Sequence, residues 1–220
     1  MDQHDRIRTS AILTHADVAH LAGLPARTVR NWSKPGKNRG PVITQGARGY
    51  GAEPPTVPLI GLSEAAVAKE LGGRGIGPRK VAAIITEAKA ADPLAFARRF
   101  YTDGTDLFRM LHDELERVKD GQFALRDVFD DFLKRVNFGG DDVMESYTVL
   151  GGDDAPTRIV IDPRFSAGRP IIERTATPVF ALLDEIEGGD DRRWIAEDFG
   201  LELAEVSYVA DHREFLAPVA

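Results

Sequence analysis

Apolar residues recur at helical spacing in two stretches of this 220-residue chain, and that periodicity constrains the fold more than any other feature. Leu125, Val128, Phe129, Phe132, Leu133 and Val136 follow one another at offsets that put side chains on one face of an α-helix, a stripe that reads as internal core before partner surface. Val179, Leu182, Leu183 and Ile186 do the same behind Thr177-Pro178, a pair suited to capping and starting a helix. Strand signals are shorter. Arg158-Ile-Val-Ile-Asp162 is an apolar run ended by Pro163, Gly168-Arg-Pro-Ile-Ile172 is its expected return, and Asp103-Gly104 is a hairpin turn signal. The expected fold class is therefore mainly α: a helix-turn-helix N-terminal domain with a wing-like hairpin, a helical middle, and a C-terminal small β-hairpin plus three-helix module.

Gly/Pro-rich and acidic stretches divide the chain into three regimes, which predict domains at 1–90, 91–150 and 157–216. In the first, Asp17-Val-Ala-His-Leu-Ala-Gly-Leu-Pro-Ala-Arg-Thr-Val-Arg-Asn-Trp32 reads as a helix-turn-helix, with Gly23 in the turn and Pro25 opening the second helix. Lys34 to Pro41 is a basic turn, and Val42 to Pro58 has the short apolar runs of an irregular hairpin or wing. Ser63 suits the N-cap of a helix running to Leu71, and Pro78 the start of another to Ala90. Gly139-Gly-Asp-Asp and Gly151-Gly-Asp-Asp bracket a linker-like segment whose aspartates read as solvated turn residues rather than a metal site. Trp194, Ile195 and Phe199 mark the second helix of the last module, and Leu203, Val206, Val209 and Ala210 its third.

Charge divides the chain in two. Residues 1–100 carry 15 Lys+Arg against 8 Asp+Glu, and residues 101–220 carry 13 against 27. With a net charge of −7 the whole molecule repels DNA, so DNA contact must be local and near the N-terminus. At 100° per residue Arg27 and Asn31 point away from Val29, with Arg30 beside them. These three are the expected base contacts, because arginine pairs bidentately with guanine and asparagine with adenine. Thr28, Lys34, Lys37 and Arg39 suit phosphate. Two basic heads of a homodimer would meet half-sites about 34 Å apart on operator double-stranded DNA.

Other chemistry has weaker support. The five histidines are dispersed, no His-Glu-x-x-His run or serine elbow is present, and the abundance of acids makes any chosen carboxylate pair uninformative. We expect no enzyme, no metal and no cofactor. The chain has no cysteine, no apolar run long enough to span a bilayer and no apolar core in its first residues, from which we expect a cytoplasmic protein with no membrane partner.

Several segments taken in order carry a family resemblance. Ile159-Val-Ile-Asp-Pro163, Gly168-Arg-Pro-Ile-Ile172, Thr177-Pro-Val179, Gly189-Asp190, Ile195-Ala-Glu-Asp-Phe-Gly200 and Val206 resemble domain of unknown function 433. Upstream, Thr28-Val-Arg-Asn-Trp32, Asp92-Pro-Leu-Ala95, Thr102-Asp-Gly104 and Gly121-Gln122 resemble the longer members, which are VapB-type antitoxins. The chain has Arg174-Thr175-Ala176 where the family usually has Gly-Thr-Arg. The resemblance implies a dimeric antitoxin that neutralises a PIN-domain ribonuclease and represses its own operon. Arg169, Trp194, Phe199, Tyr208 and Phe215 are the toxin-binding candidates, being of the residue types that dominate interface hot spots. Trp194 and Phe199 read more readily as core of the three-helix module. The competing class is a DNA-binding regulator without a toxin partner, whose C-terminal module senses a ligand or holds a dimer together.

Overall fold

A computed structural model describes residues 9–37, 40–47, 55–73, 75–91, 134–139 and 144–217. The chain divides into two compact units, Met1–Glu145 and Ser146–Ala220.

The first unit contains α1 (His15–Ala22), α2 (Ala26–Trp32), α3 (Leu59–Gly73) and α4 (Pro78–Ala91). Thr14 and Asp17 form a reciprocal capping box at the start of α1, which satisfies donors that a helix N-terminus leaves orphaned. Gly23, at φ 63°, ends α1 in the left-handed conformation that glycine adopts without a Cβ penalty, so α2 can begin three residues later. His15 and His20 both lie on this helix. Val18, Ala19, Ala22 and Val29 are buried where α1 packs on α2 and α3. Helix α3 is the centre of the unit, with Leu59, Ile60, Leu62, Ala65, Val67, Ala68 and Leu71 all buried, the pattern of a helix apolar on nearly every side. It begins four residues before the expected N-cap, and Ser63 lies inside it with its hydroxyl donating to the Ile60 carbonyl. An early start is possible because Gly61 faces Val57 and the Thr44 carbonyl, which lies 2.8 Å from where a Cβ would sit.

No wing-like hairpin occurs among the described residues of 42–58. Val57 instead forms an isolated antiparallel bridge with Leu13, and Gly46 N–H donates to Thr56 O. Of the 125–136 stripe, Leu125, Val128, Phe129, Phe132 and Leu133 lie outside the described residues, as does Asp103-Gly104. Val136 opens a strand rather than closing a helix.

That strand belongs to a sheet, and the sheet overturns the mainly α expectation. Strands β1 (Val136–Phe138), β2 (Met144–Leu150), β3 (Ile159–Ile161), β4 (Ile171–Ile172) and β5 (Thr177–Pro178) form one five-stranded sheet in chain order. The fold is mixed α/β. Tyr147 pairs with Ile161 and Thr148 with Val160, followed by a register shift to Leu150 with Ile159. Ile159 then pairs with Ile172, and Ile172 with Thr177, every described pairing being antiparallel. The expected β3–β4 hairpin is present; the additions are β1, β2 and β5, where Thr177-Pro178 forms the last strand instead of a side-chain cap, and β2 lies in the segment read as linker-like. Its glycine-aspartate flanks suggested solvent, but Met144, Ser146, Tyr147, Thr148 and Val149 are buried.

Three further helices, α5 (Val179–Gly188), α6 (Arg192–Phe199) and α7 (Leu203–Asp211), follow the sheet as the apolar spacing predicts, and a short α8 (Arg213–Leu216) ends the unit. Val179, Leu182, Leu183, Ile195, Ala196, Val206, Val209 and Leu216 form their core.

Candidate nucleic-acid and partner surfaces

Helix α2 has one fully buried residue, Val29, and it orients the rest. Arg27, Arg30 and Asn31 are exposed, Thr28 and Trp32 are half-buried, and Lys34 and Lys37 stand exposed in the turn that follows. Arg39 lies outside the described residues. Two guanidinium groups and a carboxamide on one short helix offer several planar hydrogen-bond donors, the chemistry that reads base edges. Neighbouring ammonium groups supply unoriented positive charge for a phosphate backbone.

The far end of α2 is tied into the core. The Trp32 carbonyl accepts from the amides of Val42 (2.8 Å) and Ile43 (3.1 Å). Lys89 on α4 donates to the carbonyls of Pro41 and Val42, each at 3.0 Å, and pairs with Glu64 on α3 at 3.0 Å. The Glu64 carboxylate, wholly buried, also accepts from the Thr44 amide and hydroxyl. Desolvation pushes its carboxyl above the ordinary range, against the opposing pull of Lys89 and Thr44. Sequence reasoning missed this pair; a lone carboxylate inside the apolar run Leu59 to Ala68 was the available signal.

In the second unit the candidates are dispersed over several elements. Arg169 is exposed, with its guanidinium 5.0 Å from the centre of the Phe180 ring, a cation–π contact. Trp194 is 69% exposed, so it does not fill the three-helix core, a place taken by its neighbours Ile195 and Ala196. Phe199, Tyr208 and Phe215 are half-buried. The Tyr208 ring lies 4.4 Å from that of His212, and burial pushes its hydroxyl pKa up. Phe165 and Phe180, which sequence reading did not single out, are also exposed.

Asp162 and Arg174 each fix part of the second unit through an ion pair. Asp162 is buried and accepts from the Arg164 amide and guanidinium, fixing the turn after β3. Arg174, part of the departure from the family pattern, reaches buried Glu205 on α7 at 2.5 Å. Burial alone would raise the Glu205 carboxyl, but hydrogen bonds from Arg174, the Glu202 amide and Thr157 outweigh it and hold the carboxyl below its ordinary value. No described helix is long and apolar enough to cross a membrane.

Residues 159–211 match the family model described as "Protein of unknown function (DUF433)", which spans β3 to the end of α7. Over 91% of its length the chain is 22% identical to a Mycobacterium tuberculosis (strain ATCC 25618 / H37Rv) protein named "Putative antitoxin VapB45", covering 93% of that protein. It is 29% identical, again over 91% of its length, to "Uncharacterized protein Rv2308" of the same organism, covering 89% of it. Among solved structures, Rv2018 from Mycobacterium tuberculosis has the same fold, with a TM-score of 0.72 at 19% identity over 91% of this chain and 97% of that one. The likeness is thus to whole chains and not to one module.

Proposed function

We propose that this protein is an antitoxin of a type II toxin-antitoxin pair, which neutralises a PIN-domain ribonuclease by protein binding and represses its own operon as a DNA-binding homodimer. The observation that carries the reading is the near full-length similarity to a protein named as an antitoxin. The C-terminal family match over 159–211 supports it, as does the solvent exposure of Arg169 and Trp194 in that module. Because residues 101–220 carry an excess of acids, long-range attraction would favour a basic nucleic-acid-processing partner and quicken encounter. Affinity itself would come from a few anchors, for which Trp194 and Arg169 are the best exposed candidates.

The repressor half rests on the helix pair α1–α2. In this reading Arg27, Arg30 and Asn31 contact base edges while Thr28, Lys34, Lys37 and Arg39 contact phosphates. Replacing Arg27 or Asn31 by alanine is expected to remove about 1–3 kcal/mol of discrimination between operator and scrambled duplexes. Replacing Lys34 or Lys37 should weaken both duplexes alike and make the dependence on salt shallower. Titration of purified variants against the two duplexes tests this, and unchanged ratios for both α2 variants would reject the assignment. The toxin half is tested by co-purification with the nuclease encoded beside the gene. A neighbourhood without such a nuclease would leave a regulator whose second unit has another role.

A further inference from the structure

We infer that Glu64 and Lys89 are positioning residues for the candidate DNA-reading helix, a buried ion pair that fixes the segment on which the end of α2 is seated. The inference deepens the DNA-binding reading and rests on it.

All three donors of the Lys89 ammonium are spent within this cluster, on the Glu64 carboxylate and the carbonyls of Pro41 and Val42. Both Glu64 oxygens are spent there too, one on the Thr44 amide and one shared by the Thr44 hydroxyl and Lys89. Six polar groups from α3, α4 and residues 41–44 therefore close on one another. The amides of Val42 and Ile43 point the other way and end on the carbonyl of Trp32, the last residue of α2. That carbonyl is one of the four that every helix leaves orphaned at its C-terminus. The line of bonds thus runs from Lys89 through the Val42 peptide to the end of α2. Lys34 and Lys37 lie in the chain between Trp32 and Pro41, so the basic turn is held at both ends.

Stability alone does not explain such a pair. Taking two charges out of water offsets most of their attraction, and an apolar pair of the same shape commonly serves as well or better. Direction is what an apolar pair cannot supply. A methionine at position 89 could fill the space but could not hold two carbonyls, and the amides of the same segment would lose their fixed aim at Trp32.

The test compares the full-length protein with the paired variant Glu64→Gln/Lys89→Met, which removes both charges and leaves neither buried alone. Thr44→Val, which removes one hydroxyl and leaves the ion pair, is the milder second variant. Amide hydrogen exchange is read at Val42 and Ile43 against Val67 and Leu71 in the centre of α3. Binding is read with a DNA duplex from immediately upstream of the gene. We expect exchange at Val42 and Ile43 to quicken about tenfold or more in the paired variant while the α3 amides hold. Thr44→Val should move the same amides by less, and duplex affinity should fall several-fold in the paired variant. Amides that stay protected, or that quicken only in step with α3, would overturn the positioning role. So would loosened amides with unchanged affinity. A wild-type protein that does not bind the duplex would sink the DNA reading, while the exchange pattern would still decide whether the pair fixes this segment.

Discussion

Ala176 adopts φ 55° in the turn between β4 and β5, a left-handed conformation that crowds a Cβ against the backbone. Substituting glycine there relieves the crowding and gives the unfolded chain more freedom, and the two effects nearly balance. We expect Ala176→Gly to be neutral or to stabilise by up to about 1 kcal/mol in denaturant unfolding, and a loss above about 1 kcal/mol would count against a strained turn. Trp194 makes the opposite kind of statement. At 69% exposure its replacement by alanine should change stability by no more than about 0.5 kcal/mol, while the affinity for the proposed nuclease partner should drop by about 2 kcal/mol or more. Calorimetric titration of the variant beside its melting curve separates the two, and a large fall in melting temperature with unaltered affinity would return Trp194 to a structural role. The face of α2 was legible in the sequence because the 3.6-residue period links Arg27 and Asn31 to the position of Val29. The exposure of Trp194 was not, since Trp194 and Ile195 are adjacent and apolarity alone does not say which of them turns inward.

Elements were legible where the sequence carried a period or a terminator. Val179, Leu182 and Leu183 predicted α5, and the isoleucines of 159–161 and 171–172 predicted the hairpin. The sheet was not visible as a sheet, because strands of two and three residues are too short to show alternation, and β2 is buried along most of its length instead of on every second residue. Gly61 shows a similar limit: only a close approach between α3 and the Thr44 carbonyl gives it meaning. Gly61→Ala should destabilise the first unit by about 1–3 kcal/mol, as overpacking does, and an unchanged denaturation midpoint would refute the tight contact. On α7, Glu205 has its carboxyl held below the ordinary value, so its share of stability is present above the unfolded pKa and is lost as pH falls through the folded one. Glu205→Gln should therefore lower the melting temperature at neutral pH, and the gap from wild type should close on acidification below the carboxylate range. A gap that is constant with pH would show that the carboxylate charge is not what matters.

At the scale of the whole molecule, the excess of basic groups in residues 1–100 and of acidic groups in 101–220 would suit the two proposed tasks, which are of opposite electrostatic sign. On that proposal, one polypeptide would hold a polyanion and a basic protein without either competing for the same charges. Symmetry would double the DNA footprint, and we expect light scattering at micromolar protein to give about twice the 24.1 kDa chain mass. A monomer would remove the second half-site and with it most of the expected operator specificity. The economy of α2 has a further consequence. Since Val29 alone among its residues is buried, the outward positions are nearly free of the demands of folding. If α2 reads an operator as proposed, gene duplication could then be followed by rapid divergence of the recognised sequence at little cost in stability. Sister systems in one cell would become insulated from each other's promoters while their scaffolds stayed the same.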